Sequence, residues 1–101
     1  MFKKIIVPKE ELQYRLNSID YKYLINEGNR AIGFFAATQG LIVPTQISPQ
    51  DVCFHVLEGS MEVNTDDKSF KLKAEEMLLM PKTNAYTINF LEDTKAITIR
   101  L

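Results

Sequence analysis

A chain of 101 residues, 46% apolar and 25% charged, suits one soluble globular domain over 1–101 and is too short for two. A chain of this size buries roughly 65% of its unfolded surface, enough for one core without disulfide or metal staples. The net charge is −1 and the lysines and glutamates are interspersed, so there is no basic stripe to engage nucleic acid. No apolar run approaches the ~20 residues that span a bilayer, so no membrane partner is expected.

The N-terminus is basic and then apolar from Met1 to Val7, but Pro8 and Lys9 stop the run too early for a signal peptide. The single cysteine, Cys53, has no internal disulfide partner and fits a reducing compartment. A cytoplasmic location is the expectation.

Taken in order, Phe2–Val7 predicts a strand closed by Pro8. Leu12 and Leu16 share a helical face, which predicts a short helix over Lys9–Leu16. Strands are expected over Tyr21–Asn26 and Ala31–Thr38, joined by a turn at Gly28. A short strand, Leu41–Val43, is stopped by Pro44. Val52–Leu57 is rich in β-branched and aromatic residues and reads as a strand turned at Gly59. Met61–Asn64 and Ser69–Lys73 form a hairpin, Met77–Met80 is a covered strand, and Tyr86–Phe90 and Lys95–Leu101 complete the series. Many short strands with at most one short N-terminal helix make an all-β sandwich or barrel.

The spacing of turn residues within this pattern is specific. Gly40 lies six residues before Gln46, and Gly59 seven after Val52. Pro81 stands five residues before Tyr86. This framework resembles the two short motifs of the cupin family, whose fold is a jelly-roll β-barrel. The resemblance covers Ala31 to the C-terminus. It implies that Gln46, Ser48 and Tyr86 stand where the family keeps three histidines, and Val52 where it keeps a glutamate. Glu75 and Thr83 stand at positions usually held by glycine, and Phe90 at one usually held by asparagine.

A mononuclear metal centre needs imidazole and carboxylate ligands converging on one point. Val52 ligates nothing, and Gln46 and Ser48 are weak neutral donors. No metal, no cofactor and no metal-dependent cupin chemistry is expected. Strand alternation turns Val52, Phe54 and Val56 inward with Ile88 and Phe90, and leaves Gln46, Ser48 and Tyr86 near the mouth. An apolar interior with a few polar groups is the usual make-up of a small-molecule site. Gln46, Ser48, Phe54, Tyr86 and Phe90 are the expected ligand-binding residues of a sensor or carrier.

Small barrels are also commonly filled by their own side chains. The alternative is therefore a structural or regulatory homodimerisation domain. A third reading, a metal-independent isomerase or epimerase, needs a base inside the barrel that the matched positions do not supply. No catalytic residue is assigned. His55 points outward by alternation, and Cys53, about 6–7 Å from it along one strand face, reads as a small hydrophobe rather than a nucleophile. The outward face of Cys53, His55 and Leu57 is apolar enough to predict a homodimer, with the N-terminal strand exchanged or laid along a neighbouring sheet.

Overall fold

The computed structural model describes residues 5–101. In chain order these form helix α1 (Pro8–Glu11) and strands β1 (Ile19–Glu27), β2 (Arg30–Ala37), β3 (Ile42–Ile47), β4 (Val52–Glu58), β5 (Ser60–Asn64), β6 (Ser69–Lys73), β7 (Met77–Met80), β8 (Ala85–Phe90) and β9 (Thr94–Arg100). One sheet has the order β1-β2-β9-β4-β7 and the other β3-β8-β5-β6, all pairs antiparallel. The chain crosses between sheets repeatedly, so the fold is an all-β jelly roll.

Period-two alternation builds the core. On β4 the buried residues are Val52, Phe54 and Val56; on β8 they are Tyr86, Ile88 and Phe90. Met61 and Val63 on β5 and Ala96 on β9 are fully sealed between the sheets. Each fully buried Val or Met contributes about 1.5–3 kcal/mol. The Phe35 and Phe90 rings meet edge to face at 5.7 Å across the sandwich.

Three elements differ from expectation. Of the strand expected over Phe2–Val7, residues 2–4 lie outside the described residues and Ile5 to Val7 is irregular. The helix expected over Lys9–Leu16 is only Pro8–Glu11. A single turn with no side-chain cap has little stability of its own. Leu12 instead leaves it extended and buries against Phe34 and Ala36 on the outer face of the large sheet, while Leu16 is exposed.

The strand expected to stop at Pro44 continues to Ile47. β3 is an edge strand, and its register shifts between Val43 and Gln46. A bulge on an edge leaves Pro44 with no ladder bond to lose.

The turns obey the framework of glycines more closely than the residue types suggest. Gly59 has φ 84°, and a Cβ there would lie 2.1 Å from the Asp93 carbonyl oxygen, so only glycine fits. Glu75 and Thr83 stand at the two positions where the cupin pattern has glycine. They hold φ values of 75° and 68°, the left-handed conformation that glycine adopts without strain.

A candidate ligand cavity

On one side the sheet edges are β6 and β7, joined by a short turn. On the opposite side the unpaired edges are β1 and β3, and a cavity of about 220 Å³ lies there. Its apolar walls are Phe35, Val52, Phe54, Ile88 and Phe90, closed at the edges by Ile19 and Val43. These residues line it because alternation and register place them there. Phe54 and Tyr86, from different sheets, meet edge to face at 5.7 Å.

The polar groups gather at one part of the wall: Tyr21, Gln46, Tyr86, Thr98 and Arg100. Thr98 and Arg100 share the inward face of β9, two residues apart, and Arg100 lies opposite Val52 in the sheet register. Tyr21 stacks on Phe35 at 5.9 Å and shares a hydrogen bond with the Thr98 hydroxyl. Arg100 is half-buried, and its Nη1 donates to the Tyr23 hydroxyl over a long 3.5 Å. Among the described residues, no carboxylate lies within ion-pair distance of the guanidinium.

Burial pushes the Tyr21 and Tyr86 phenols above their ordinary pKa, so both are uncharged at neutral pH. Burial also works against the charge of Arg100. The Tyr23 hydrogen bond and the neighbouring tyrosines outweigh it, and its pKa lies above the ordinary value. The cavity therefore carries one fixed positive charge, surrounded by neutral hydroxyls.

Of the five residues expected from sequence to bind a ligand, four line this cavity: Gln46, Phe54, Tyr86 and Phe90. Gln46 and Tyr86 are direct register partners on β3 and β8, although the Gln46 amide donates back to the Pro44 carbonyl at 3.2 Å. Ser48 lies in an adjoining groove with Tyr86 and Arg100, where its Oγ accepts from the Gln50 amide at 3.1 Å. The Tyr86 ring is buried, and among the described residues its hydroxyl makes no protein hydrogen bond. No buried side-chain polar atom among the described residues is both sealed and unpartnered, so this hydroxyl is reachable by solvent, on a residue that lines both the cavity and the adjoining groove.

Tyr21, Tyr23, Thr98 and Arg100 escaped sequence reasoning because the motif framework points only to β3, β4 and β8. Alternation along Thr94-Lys95-Ala96-Ile97-Thr98-Ile99-Arg100 was the available signal, since it sets Arg100 on the same face as Ala96.

The cupin fold commonly carries a metal, and the residues here do not fit one. Val52 is apolar, Gln46 and Ser48 are neutral, and the Arg100 guanidinium in the same cavity repels a cation. Among the described residues, no group of three or more His, Cys, Asp or Glu side chains converges anywhere. Cys53 and His55 are half-buried on the outer face of β4, away from the cavity. A bulge between Val56 and Glu58 turns Glu58 outward opposite Lys95.

No family model and no curated protein matches the chain. Solved structures do. A conserved protein of unknown function from Streptococcus pyogenes superposes with a TM-score of 0.92 at 16% identity, over 100% of this chain and 89% of that one. A cupin superfamily protein from Desulfitobacterium hafniense gives 0.90 at 20% identity, over 100% and 94%. A cupin 2 conserved barrel domain protein from Leptotrichia buccalis gives 0.87 at 22% identity, over 92% of this chain and 45% of that one. With the jelly-roll topology, the turn at Gly59, and left-handed backbone at Glu75 and Thr83, the chain has the cupin fold.

Proposed function

We propose that the protein binds a small organic molecule in the cavity between β1 and β3, as a sensor or carrier, without metal-dependent catalysis. The observation that carries this reading is the half-buried Arg100 at an apolar cavity, with the free Tyr86 hydroxyl on the same wall. Charged groups are rarely kept against apolar walls without a partner, because removing them from water is costly. A filled, purely structural barrel has no use for one there. An isomerase reading gains no support, because the cavity lining includes no imidazole, amine or carboxylate to move a proton.

The test is a thermal-shift screen with sugars, organic acids and nucleotides, run beside elemental analysis of the purified protein. A ligand at 100 times its dissociation constant raises stability by about 2.7 kcal/mol. A screen without any hit defeats this reading, and stoichiometric metal defeats its metal-free part.

A second reading, homodimerisation, is favoured by one observation on the outer face of the large sheet. Register aligns Leu79, Cys53, Ile99, Ile32 and Ile25 in one apolar row across all five strands. Leu79 is 60% exposed and the other four are half-buried. The neighbouring rows at Phe34 and Ala36 are covered by the N-terminal segment through Leu12, and no described residue of that segment belongs to a cluster with this row. Dimerisation through it is compatible with an open cavity, since the two lie on opposite faces of the same sheet.

A further inference from the structure

We infer that the ligand is a small monocarboxylate with an aromatic or branched apolar body, its carboxylate held by Arg100 and Tyr86. This rests on the ligand-binding reading above and narrows it to a chemical class. Three features of the site converge on that class.

The first is charge. Arg100 is the sole charged residue lining the cavity, and it has no carboxylate partner among the described residues. A ligand with one negative charge balances it. A phosphate dianion leaves an excess charge facing neutral phenols, with no lysine or second arginine among the described residues that line the cavity.

The second is the shape of the donors. A guanidinium presents two parallel N–H groups that match the two oxygens of a carboxylate. Among the described residues the Tyr86 hydroxyl has no acceptor, and it supplies a further donor on a residue that lines the same cavity as Arg100. Tyr21 shares its hydroxyl bond with Thr98, in which either oxygen can donate, and Gln46 spends one of its two amide N–H groups on Pro44, so both are weaker candidates for the anion than the guanidinium.

The third is the body of the cavity. Phe35, Val52, Phe54, Ile88 and Phe90 offer no hydrogen-bonding group. A sugar or nucleoside bound there leaves hydroxyls and ring nitrogens unpaired, which opposes binding. A cavity of about 150 Å³ is known to take up benzene. The roughly 220 Å³ here suits a ring or branched alkyl group with a carboxylate and one or two more carbons.

The experiment is isothermal titration calorimetry of the full chain with matched pairs: benzoate and benzamide, phenylacetate and phenylacetamide. Phenyl phosphate and 3-methylbutanoate complete the set. Each is titrated into the wild type, Arg100→Gln and Arg100→Lys, with melting temperatures recorded to establish that all three fold. The expected result is acid binding at least tenfold tighter than amide binding. Arg100→Gln then weakens the acids by about 10- to 100-fold and the amides by much less, so that the acid-over-amide preference collapses. Arg100→Lys, with charge but no planar fork, falls between.

Equal binding of acids and amides, or tighter binding of phenyl phosphate, overturns the carboxylate assignment while the ligand-binding reading stands. Acid affinities all weaker than about 1 mM, with a hit of another class in the thermal-shift screen, also overturn the assignment alone. If that screen is blank too, both fall together.

Discussion

The hydroxyls of Tyr21 on β1 and Thr98 on β9 are hydrogen-bonded across the intervening strand β2. The bond exists because Gly33, the β2 residue opposite Thr98 in the register and beneath the Tyr21 ring, has no side chain. A Cβ on Gly33 would stand 2.6 Å from the Tyr21 ring. The ring thus lies flat over the sheet and forms part of the cavity wall. Three strands are tied together where only two would otherwise touch, and the polar end of the cavity takes its shape from that contact.

Gly33→Ala pushes the Tyr21 ring aside and should lower stability by about 1–3 kcal/mol, an overpacking cost. Tyr21→Phe loses only the hydroxyl bond, about 1 kcal/mol. Tyr21→Ala on the Gly33→Ala background removes the colliding ring, so the two losses should combine to less than their sum. Urea denaturation of the wild type, Gly33→Ala, Tyr21→Ala and the double variant checks this, with Tyr21→Phe measured beside them. Strict additivity would show that the ring and the glycine are not coupled.

Glycine exchanges in the turns should act in opposite directions. Thr83→Gly relieves a β-branched residue at φ 68° and is expected to raise stability by about 1 kcal/mol, after allowance for the freer unfolded chain. Gly59→Ala introduces both the left-handed strain and a collision with the Asp93 carbonyl, and should cost roughly 2–4 kcal/mol. Chemical denaturation midpoints at constant slope report both changes. A Thr83→Gly protein no more stable than the wild type would be evidence against strain at that turn.

The N-terminal segment is held to the sheet by a small charged cluster. The Tyr14 hydroxyl donates to Glu58 Oε2 at 2.6 Å, Lys9 Nζ lies 3.4 Å from Glu58 Oε1, and the Lys95 ammonium stands over the Tyr14 ring at 5.1 Å. The bond from Tyr14 holds the Glu58 carboxyl below its ordinary pKa, with Lys95 and Lys9 adding to the effect. Burial, and then the bond and charge of Glu58, push the Tyr14 phenol up.

Because the folded Glu58 binds its proton less readily than the unfolded one, its contribution is present above the ordinary glutamate range. It is lost as pH falls through the lowered folded value. The raised tyrosines act at the other end. Their contribution is intact below about pH 10 and is lost as pH rises further. Glu58→Gln should therefore melt below the wild type at pH 7, with the difference closing as pH falls toward 3. Melting curves across that range test it, and a gap that does not change with pH counts against the cluster.

The apolar row on the outer sheet face carries a prediction about assembly. Wild-type protein should show about twice the 11.6 kDa chain mass in light scattering, and Leu79→Lys should return it to a single chain mass. Leu79 is exposed within one chain, so the exchange costs little stability on its own. A monomeric wild type at micromolar concentration removes the dimer.

From Tyr21 onward the strands, their order along the chain and the faces of β4 and β8 were legible in the sequence, whereas the strand expected over Phe2–Val7 is irregular at Ile5 to Val7. Each rests on local physics: alternation, β-branched residues, and turns that exclude most side chains. Gln46, Phe54, Tyr86 and Phe90 were legible as neighbours for the same reason, since the turn framework sets their spacing. Three things were decided only when the sheets packed. Pro44 sits inside a strand because β3 proved to be an edge. Leu12 left its helix because the outer face at Phe34 and Ala36 needed cover. Arg100, near the end of the chain, reached the cavity only through the pairing of β9 between β2 and β4, a contact between residues far apart in sequence. Local pattern specifies which face a residue joins, but only long-range strand order specifies what that face meets.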